Sequence, residues 1–203
     1  MPKRFQFEVK NDEDKYELAH QEILKATRCH GHTRNGTRCK RQCIIGYEYC
    51  PAHLASEKHL KIATSTLDNA GNGLFAYDKT KGDDDVVFQK DDVIMEYHGR
   101  VKSDEEIEEQ YQHHTAPYTV RAKQDMNIDA AGQRGVASLT NHRARSYINC
   151  ELKTKKDRGR IIGIQLVALK NIKNYSELFC NYGDTYNFNE DTRYSTKPYY
   201  PRK

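Results

Sequence analysis

Four cysteines and a histidine crowd one stretch near the start of the chain: Cys29, Cys39, Cys43, Cys50 and His53. Cys50 and His53 form a C-x-x-H pair, which can put one thiolate and one imidazole on the same ion. Zn²⁺ favours tetrahedral N/S coordination, and Cys3His is a common structural set. The expected ligands are Cys29, Cys39, Cys50 and His53, with Cys43 as the reserve. A module of ~30 residues buries too little core to fold alone, so metal would supply its folding free energy. Gly31, Gly36 and Gly46 read as turn glycines. The stretch is also basic. Between Glu22 and Glu48 lie Lys25, Arg28, Arg34, Arg38, Lys40 and Arg41, with no acid. Two readings stay open for it, a phosphate-contacting face for nucleic acid or a solvated basic surface. Cys150 and Cys180 stand alone, far along the chain.

The whole chain bounds what these residues can belong to. Its 203 residues fit one domain with an appendage, or two small domains. Charged residues make up 31% and the mean hydropathy is −0.96, yet 14 Tyr and 6 Phe argue against wholesale disorder. No run of ~18 apolar residues exists, so no membrane span is expected. The opening MPKRFQFEVKNDEDKYELAH has no apolar core of a secretory signal. The expected location is therefore nuclear or cytoplasmic, not secreted. In that setting a cysteine cluster reads as a metal site before a disulfide framework.

The organisation follows from composition. Residues 1–26 form a polar segment in which Leu18, Ile23 and Leu24 suggest a modest helix over Asp14–Lys25. Residues 27–56 form the Cys/His module, and 57–68 read as a connector. From Leu67 onward, short Val/Ile/Phe/Tyr runs alternate with turn signals: GLFAY, VVF, VIMEY, YTVRA, NIDAA, RIIGIQLVAL and ELFCNY. These predict short strands. One helix interrupts them. In SDEEIEEQYQHH, Ser103 stands three residues before Glu106, a capping box, and acids crowd the first turn. Asp83, Asp84 and Asp85 mark a solvated loop, and 187–203 is an aromatic and basic tail.

Four segments recur in a telling order: Gly71-Asn72-Gly73-Leu74-Phe75-Ala76, Glu96-Tyr97-His98-Gly99, Leu139-Thr140-Asn141-His142 with Asn149-Cys150, and Glu177-Leu178-Phe179-Cys180-Asn181-Tyr182-Gly183. Together they resemble the SET-domain protein lysine methyltransferases, over roughly residues 61–186. The resemblance implies a mainly β, SET-type fold of short strands (β-clip type) with a small helical insert, beside a small N-terminal zinc module. Small cysteine-rich modules with C, G-x-x-C and YC-x-x-H elements occur beside SET domains in some plant chromatin proteins, and 27–56 resembles them.

The resemblance also implies roles. Gly71, Asn72 and Gly73 would form the turn that approaches S-adenosylmethionine, with Asn141 and His142 as further cofactor contacts. Tyr182 would set its hydroxyl beside the transferring methyl, and Tyr118 would wall the lysine channel. Tyr97 and Gly99 would be structural. The implied activity is methyl transfer from S-adenosylmethionine to a lysine-bearing protein, with a histone as the expected substrate and zinc held by the N-terminal module. The alternative is a catalytically weak SET-like protein that recruits chromatin or nucleic acid through its basic zinc motif. The chain departs from the family's N-H-S-x-x-P-N-C: Arg143 replaces the serine, the proline is missing, and two residues are inserted before Asn149-Cys150. The family's R-F-x-N-H arginine is Ser138 here, and no cysteine follows Cys180, so Tyr186, Phe188, Tyr194, Tyr199 or Tyr200 would have to close the channel. Cys180 and Leu152 occupy places where relatives can carry a tyrosine that limits the number of methyls added. Neither offers a phenol, which predicts di- or trimethylation.

Overall fold

Strand β3 (Leu60–Thr64) and strand β4 (Asn72–Ala76) form an antiparallel hairpin running from Leu60 opposite Ala76 to Thr64 opposite Asn72. They follow helix α1 (Pro51–Lys58), which a left-handed His59 (φ 53°) terminates. The stretch 57–68 is thus a helix end and a paired strand rather than a connector. Its charged and polar residues hide a strand whose inward Leu60 is fully buried. The computed structural model describes residues 9–10, 15–16, 27–43, 47–68, 70–111, 116–132, 135–143 and 145–183. At its start, β1 (Val9–Lys10) and β2 (Lys15–Tyr16) pair antiparallel. Lys15 and Tyr16 are therefore extended, not helical. A short helix is marginal in water, and at these two residues a strand partner outcompetes it. Leu18, Ile23, Leu24, Lys25, Gly46 and the tail aromatics lie outside the described residues.

The remaining strands build small sheets around one core. β5 (Val86–Phe88) pairs with β13 (Ile172–Lys173), and β6 (Val93–Glu96), β12 (Arg160–Ala168) and β11 (Cys150–Asp157) form an antiparallel sheet in the order β11-β12-β6. β7 (Arg100–Lys102), β9 (Met126–Asp129) and β8 (Thr119–Lys123) form another, in the order β7-β9-β8. Between β7 and β8 sits α2 (Asp104–Tyr111), opened by the expected capping box: the Ser103 amide donates to Glu106 Oε2 at 2.8 Å, and the Glu106 amide to Ser103 Oγ at 3.1 Å. Leu60, Leu74, Ile94, Leu166, Ile172 and Leu178 meet in the core, which also takes Leu54 from α1.

A parallel pair closes the domain. β10 (Asn141–His142) aligns Asn141 with Phe179 and His142 with Cys180 of β14 (Phe179–Cys180). The loop after His142 then returns to β14. The Asn149 amide donates to the Phe179 carbonyl at 3.1 Å, and Asn149 Oδ1 accepts the Phe179 amide at 2.9 Å. Strand β14 is thereby held by both ends of the 143–148 loop. Within that loop the Arg143 guanidinium stacks 3.8 Å from the Tyr147 ring centroid and 5.2 Å from that of Phe179, so the residue that replaces the family's serine is packed into the loop.

Candidate active site and metal centre

A cavity of about 530 Å³ opens between the β7-β9-β8 sheet and the last strand. Its wall includes Tyr97, Tyr118, Thr140, Leu152, Cys180 and Tyr182. Tyr118 and Tyr182 therefore share one site. Tyr118 has a left-handed backbone (φ 64°), which costs a non-glycine residue about 1–2 kcal/mol. Two donors hold its carbonyl in place: the Tyr97 hydroxyl at 2.8 Å and the Ala130 amide at 3.0 Å. Tyr97 thus positions Tyr118. The Tyr182 hydroxyl donates to the Thr140 carbonyl at 2.9 Å, and the Tyr182 amide donates to His142 Nδ1 at 3.1 Å. Burial pushes the His142 imidazole below its usual range, which suits an accepting, neutral ring. Arg121 is the one charged residue in the wall among the described residues, and Asp104 pairs with it at 3.0 Å.

Gly71, Asn72, Gly73, Asn141 and His142 do not line this cavity. They gather one residue beyond its wall, where Asn141 follows Thr140. Asn141 Nδ2 reaches the Asn72 carbonyl at 3.2 Å, Ser65 Oγ at 3.2 Å and Glu177 Oε1 at 3.1 Å. The centre of this cluster is Glu177, a carboxylate only 5% exposed. It also accepts from the Ser65 hydroxyl at 2.6 Å, the Thr66 amide at 2.7 Å and the Thr66 hydroxyl at 2.6 Å. Gly73 faces it so closely that a Cβ there would sit 2.8 Å from Glu177 Cδ. Gly71 makes the turn, with φ 69°. Within the protein, then, Gly73 clears space for the Glu177 side chain, two residues before the last strand.

The N-terminal module brings the four expected ligands together. One donor atom each from Cys29, Cys39, Cys50 and His53 lies within 4.8 Å of the others. His53 Nδ1 is 3.5 Å from Cys29 Sγ and 3.4 Å from Cys50 Sγ. A tetrahedral zinc with ordinary Zn–S and Zn–N bonds has N···S edges of about 3.6 Å, so the set fits that ion. Cys50 caps α1 and His53 sits on its first turn, which is how C-x-x-H converges. The amides of Gly31 and Cys50 donate to Cys29 Sγ at 3.3 and 3.2 Å, and the Arg41 amide to Cys39 Sγ at 3.4 Å, which suits thiolates. Glu57 sits behind His53 Nε2 at 3.8 Å. Cys43 is buried beside the cluster but outside the converging four, its thiol pushed up to about 12 by burial and the neighbouring cysteines. Of the expected turn glycines, Gly36 (φ 73°) makes a turn. Gly31 instead makes room for His53, whose Cβ would lie 2.6 Å from an added Cβ. The basic face shrinks: Arg28 donates to the Cys39 and Arg38 carbonyls at 2.7 Å each, and Arg38 to those of Cys29 and Arg28 at 3.0 and 2.8 Å. Arg34, Lys40 and Arg41 remain exposed.

A polar joint ties this module to the β domain. The buried Glu48 carboxylate pairs with His98 Nδ1 and accepts the Val136 amide at 3.2 Å. Val136 begins the short 3-10 turn (Val136–Leu139) that leads to Asn141. His98 Nε2 lies 3.3 Å from Glu96, which pairs in turn with Lys155.

Residues 85–183, just under half of the chain, match the family model of the SET domain. The chain carries a SET domain. That family consists in general of S-adenosylmethionine-dependent lysine methyltransferases. No curated protein matches the chain. The matched span takes in the cavity wall, Asn141, His142 and Glu177, while Gly71–Gly73 stands before it. The β3–β4 hairpin nonetheless packs into the SET domain, the Leu178 amide donating to the Leu74 carbonyl at 2.7 Å. Sequence reasoning missed Ser65, Thr66, Glu48 and the role of Glu177. Only its place at the head of the 177–183 segment flagged Glu177, and Ser65 and Thr66 carry no local signal at all. Among the described residues, no helix is long and apolar enough to cross a membrane.

Proposed function

We propose that the protein is a protein-lysine N-methyltransferase that uses S-adenosylmethionine and acts on a lysine side chain, with a histone tail as the substrate class. The observation that carries this reading is the cavity wall. Three tyrosines, Leu152 and Cys180 line it, and no carboxylate does among the described residues. Such a wall favours a neutral amine over an ammonium ion, because desolvation lowers an amine's pKa from about 10.4. A neutral amine is the nucleophile that methylation needs. The cofactor, when bound, supplies a methyl group on a positively charged sulfur.

The protein's own groups hold and aim the amine. The Tyr182 hydroxyl donates its hydrogen bond to the Thr140 carbonyl, so its oxygen is left as an acceptor. An amine N–H bonded to that oxygen turns the nitrogen lone pair in a defined direction. Tyr118, locked through its carbonyl, confines the alkyl stem. Aligning reactants in this way is worth up to about 7–11 kcal/mol of barrier in good cases. On the cofactor side, Gly71, Asn72, Gly73, Asn141 and His142 would hold S-adenosylmethionine, with Glu177 keeping Asn141 in position. The choice of histone rests on the family resemblance.

The test is labelled methyl transfer onto histones and other lysine-bearing proteins, with calorimetric binding of S-adenosylmethionine alongside. Transfer is expected for the native protein. Tyr182→Phe is expected to lose most transfer while retaining binding. A native protein that neither binds S-adenosylmethionine nor transfers methyl would leave the recruitment role.

A further inference from the structure

The β11–β12 hairpin extends beyond the sheet that roots it. β6 pairs with β12 only from Val167 to Gln165, and the Tyr97 amide adds one more bond to the Ile164 carbonyl at 2.9 Å. From there to the tip the ladder continues as a two-stranded ribbon, Thr154 opposite Ile164 and Asp157 opposite Arg160. The turn is Arg158-Gly159, both left-handed at φ 46° and 80°, which suits a tight two-residue hairpin. A bulge between Lys155 and Lys156 increases the ribbon's twist.

Residues 153–160 carry Lys153, Lys155, Lys156, Arg158 and Arg160 against one acid, Asp157. Glu96 neutralises Lys155, and Glu151 lies 3.8 Å from Lys153. The charged heads of Lys156, Arg158 and Arg160 have no carboxylate or carbonyl partner among the described residues, and both arginines are exposed. Ile161 packs its side of the ribbon against the core, but the turn itself gathers three cations with one acid, Asp157, and like charges repel there. A polyanion answers that charge.

We propose that this ribbon grips the phosphate backbone of duplex DNA, independently of base sequence. Arg158 and Arg160 stand at the tip beside Asp157 with no Asn or Gln, so its cations offer phosphate contacts and no adenine recognition. The same strand carries Leu152 into the cavity wall, six residues before Arg158. At ~3.4 Å per residue, the grip lies about 20 Å from the cavity. The substrate lysine would then belong to a protein already bound to DNA. That last step rests on the methyltransferase reading. The DNA contact does not.

The experiment is fluorescence anisotropy of the full chain, zinc bound, with a labelled DNA duplex at 50–200 mM salt. Three phosphate contacts give a slope of about −2.7 in log K against log salt, a roughly fortyfold loss over that range. The triple variant Lys156→Glu, Arg158→Glu, Arg160→Glu should lose this binding while keeping its zinc and melting temperature. Should that variant not fold, Arg158→Gln and Arg160→Gln should each reduce the slope by about 0.9. Binding that survives in these variants, or poly-glutamate binding as tightly as duplex, would overturn the proposal. Absence of methyl transfer on every substrate, with DNA binding intact, would count against the methyltransferase reading alone.

Discussion

Replacing Glu177 by glutamine removes one charge and keeps the shape, so its effect isolates the buried carboxylate. Glu177 accepts four hydrogen bonds, from the Ser65 and Thr66 hydroxyls, the Thr66 amide and Asn141 Nδ2. The hydroxyls can rotate to accept from an amide, but the Thr66 N–H and Asn141 NH2 can only donate. Whichever way the glutamine turns, its own NH2 faces one of these two donors. One charge-assisted bond, worth about 1.5–3 kcal/mol, is lost and a buried donor is stranded; together this is about 2–4 kcal/mol. For a chain of this size that is about 4–16 °C in melting temperature. The assay is thermal unfolding of Glu177→Gln, with binding of S-adenosylmethionine measured in parallel. Both should fall, because the charged carboxylate that gathers Thr66 and holds Asn141 against Asn72 is gone. Gly73→Ala should do the same by displacing the carboxylate. A Glu177→Gln protein melting within about 2 °C of the native one would refute the reasoning.

Purified protein should hold about one zinc per chain, lost in Cys29→Ser or His53→Ala and retained in Cys43→Ser; elemental analysis decides, and zinc loss in Cys43→Ser would reassign the ligands. His98 is raised above its ordinary pKa mainly by its bond to Glu48, against the opposing effect of burial. A raised folded pKa stabilises fully below the unfolded value of about 6.5 and is lost as pH climbs through the higher folded one. The melting-temperature advantage of native protein over His98→Gln should therefore shrink as pH rises above about 6.5, and an advantage that grows instead contradicts the pairing. With Cys180 and Leu152 in the cavity wall, mass spectrometry should find di- or trimethyl product, shifted towards monomethyl in Cys180→Tyr. A native product that stalls at monomethyl would point to a hydroxyl from another tyrosine.

Much of the site was legible because its parts are local. C-x-x-H names two candidate ligands that one helical turn brings together at Cys50 and His53. Ser103 and Glu106 cap a helix by themselves, and apolar runs such as RIIGIQLVAL pair wherever they meet an edge. What the residues could not show is what lies across the chain from them. Strand β11 reads CELKTKKD, with no apolar run, and is a strand because β12 folds back on it through Arg158-Gly159. Arg28 and Arg38 look like free cations until the fold sets backbone carbonyls in front of them. The tightest example is Glu177, 111 residues from Thr66, where four donors converge on one buried carboxylate. Spacing along a chain encodes contacts within a turn of helix or a hairpin. A buried charge is decided by solvation and by donors gathered from distant segments, and those exist only once the core has closed.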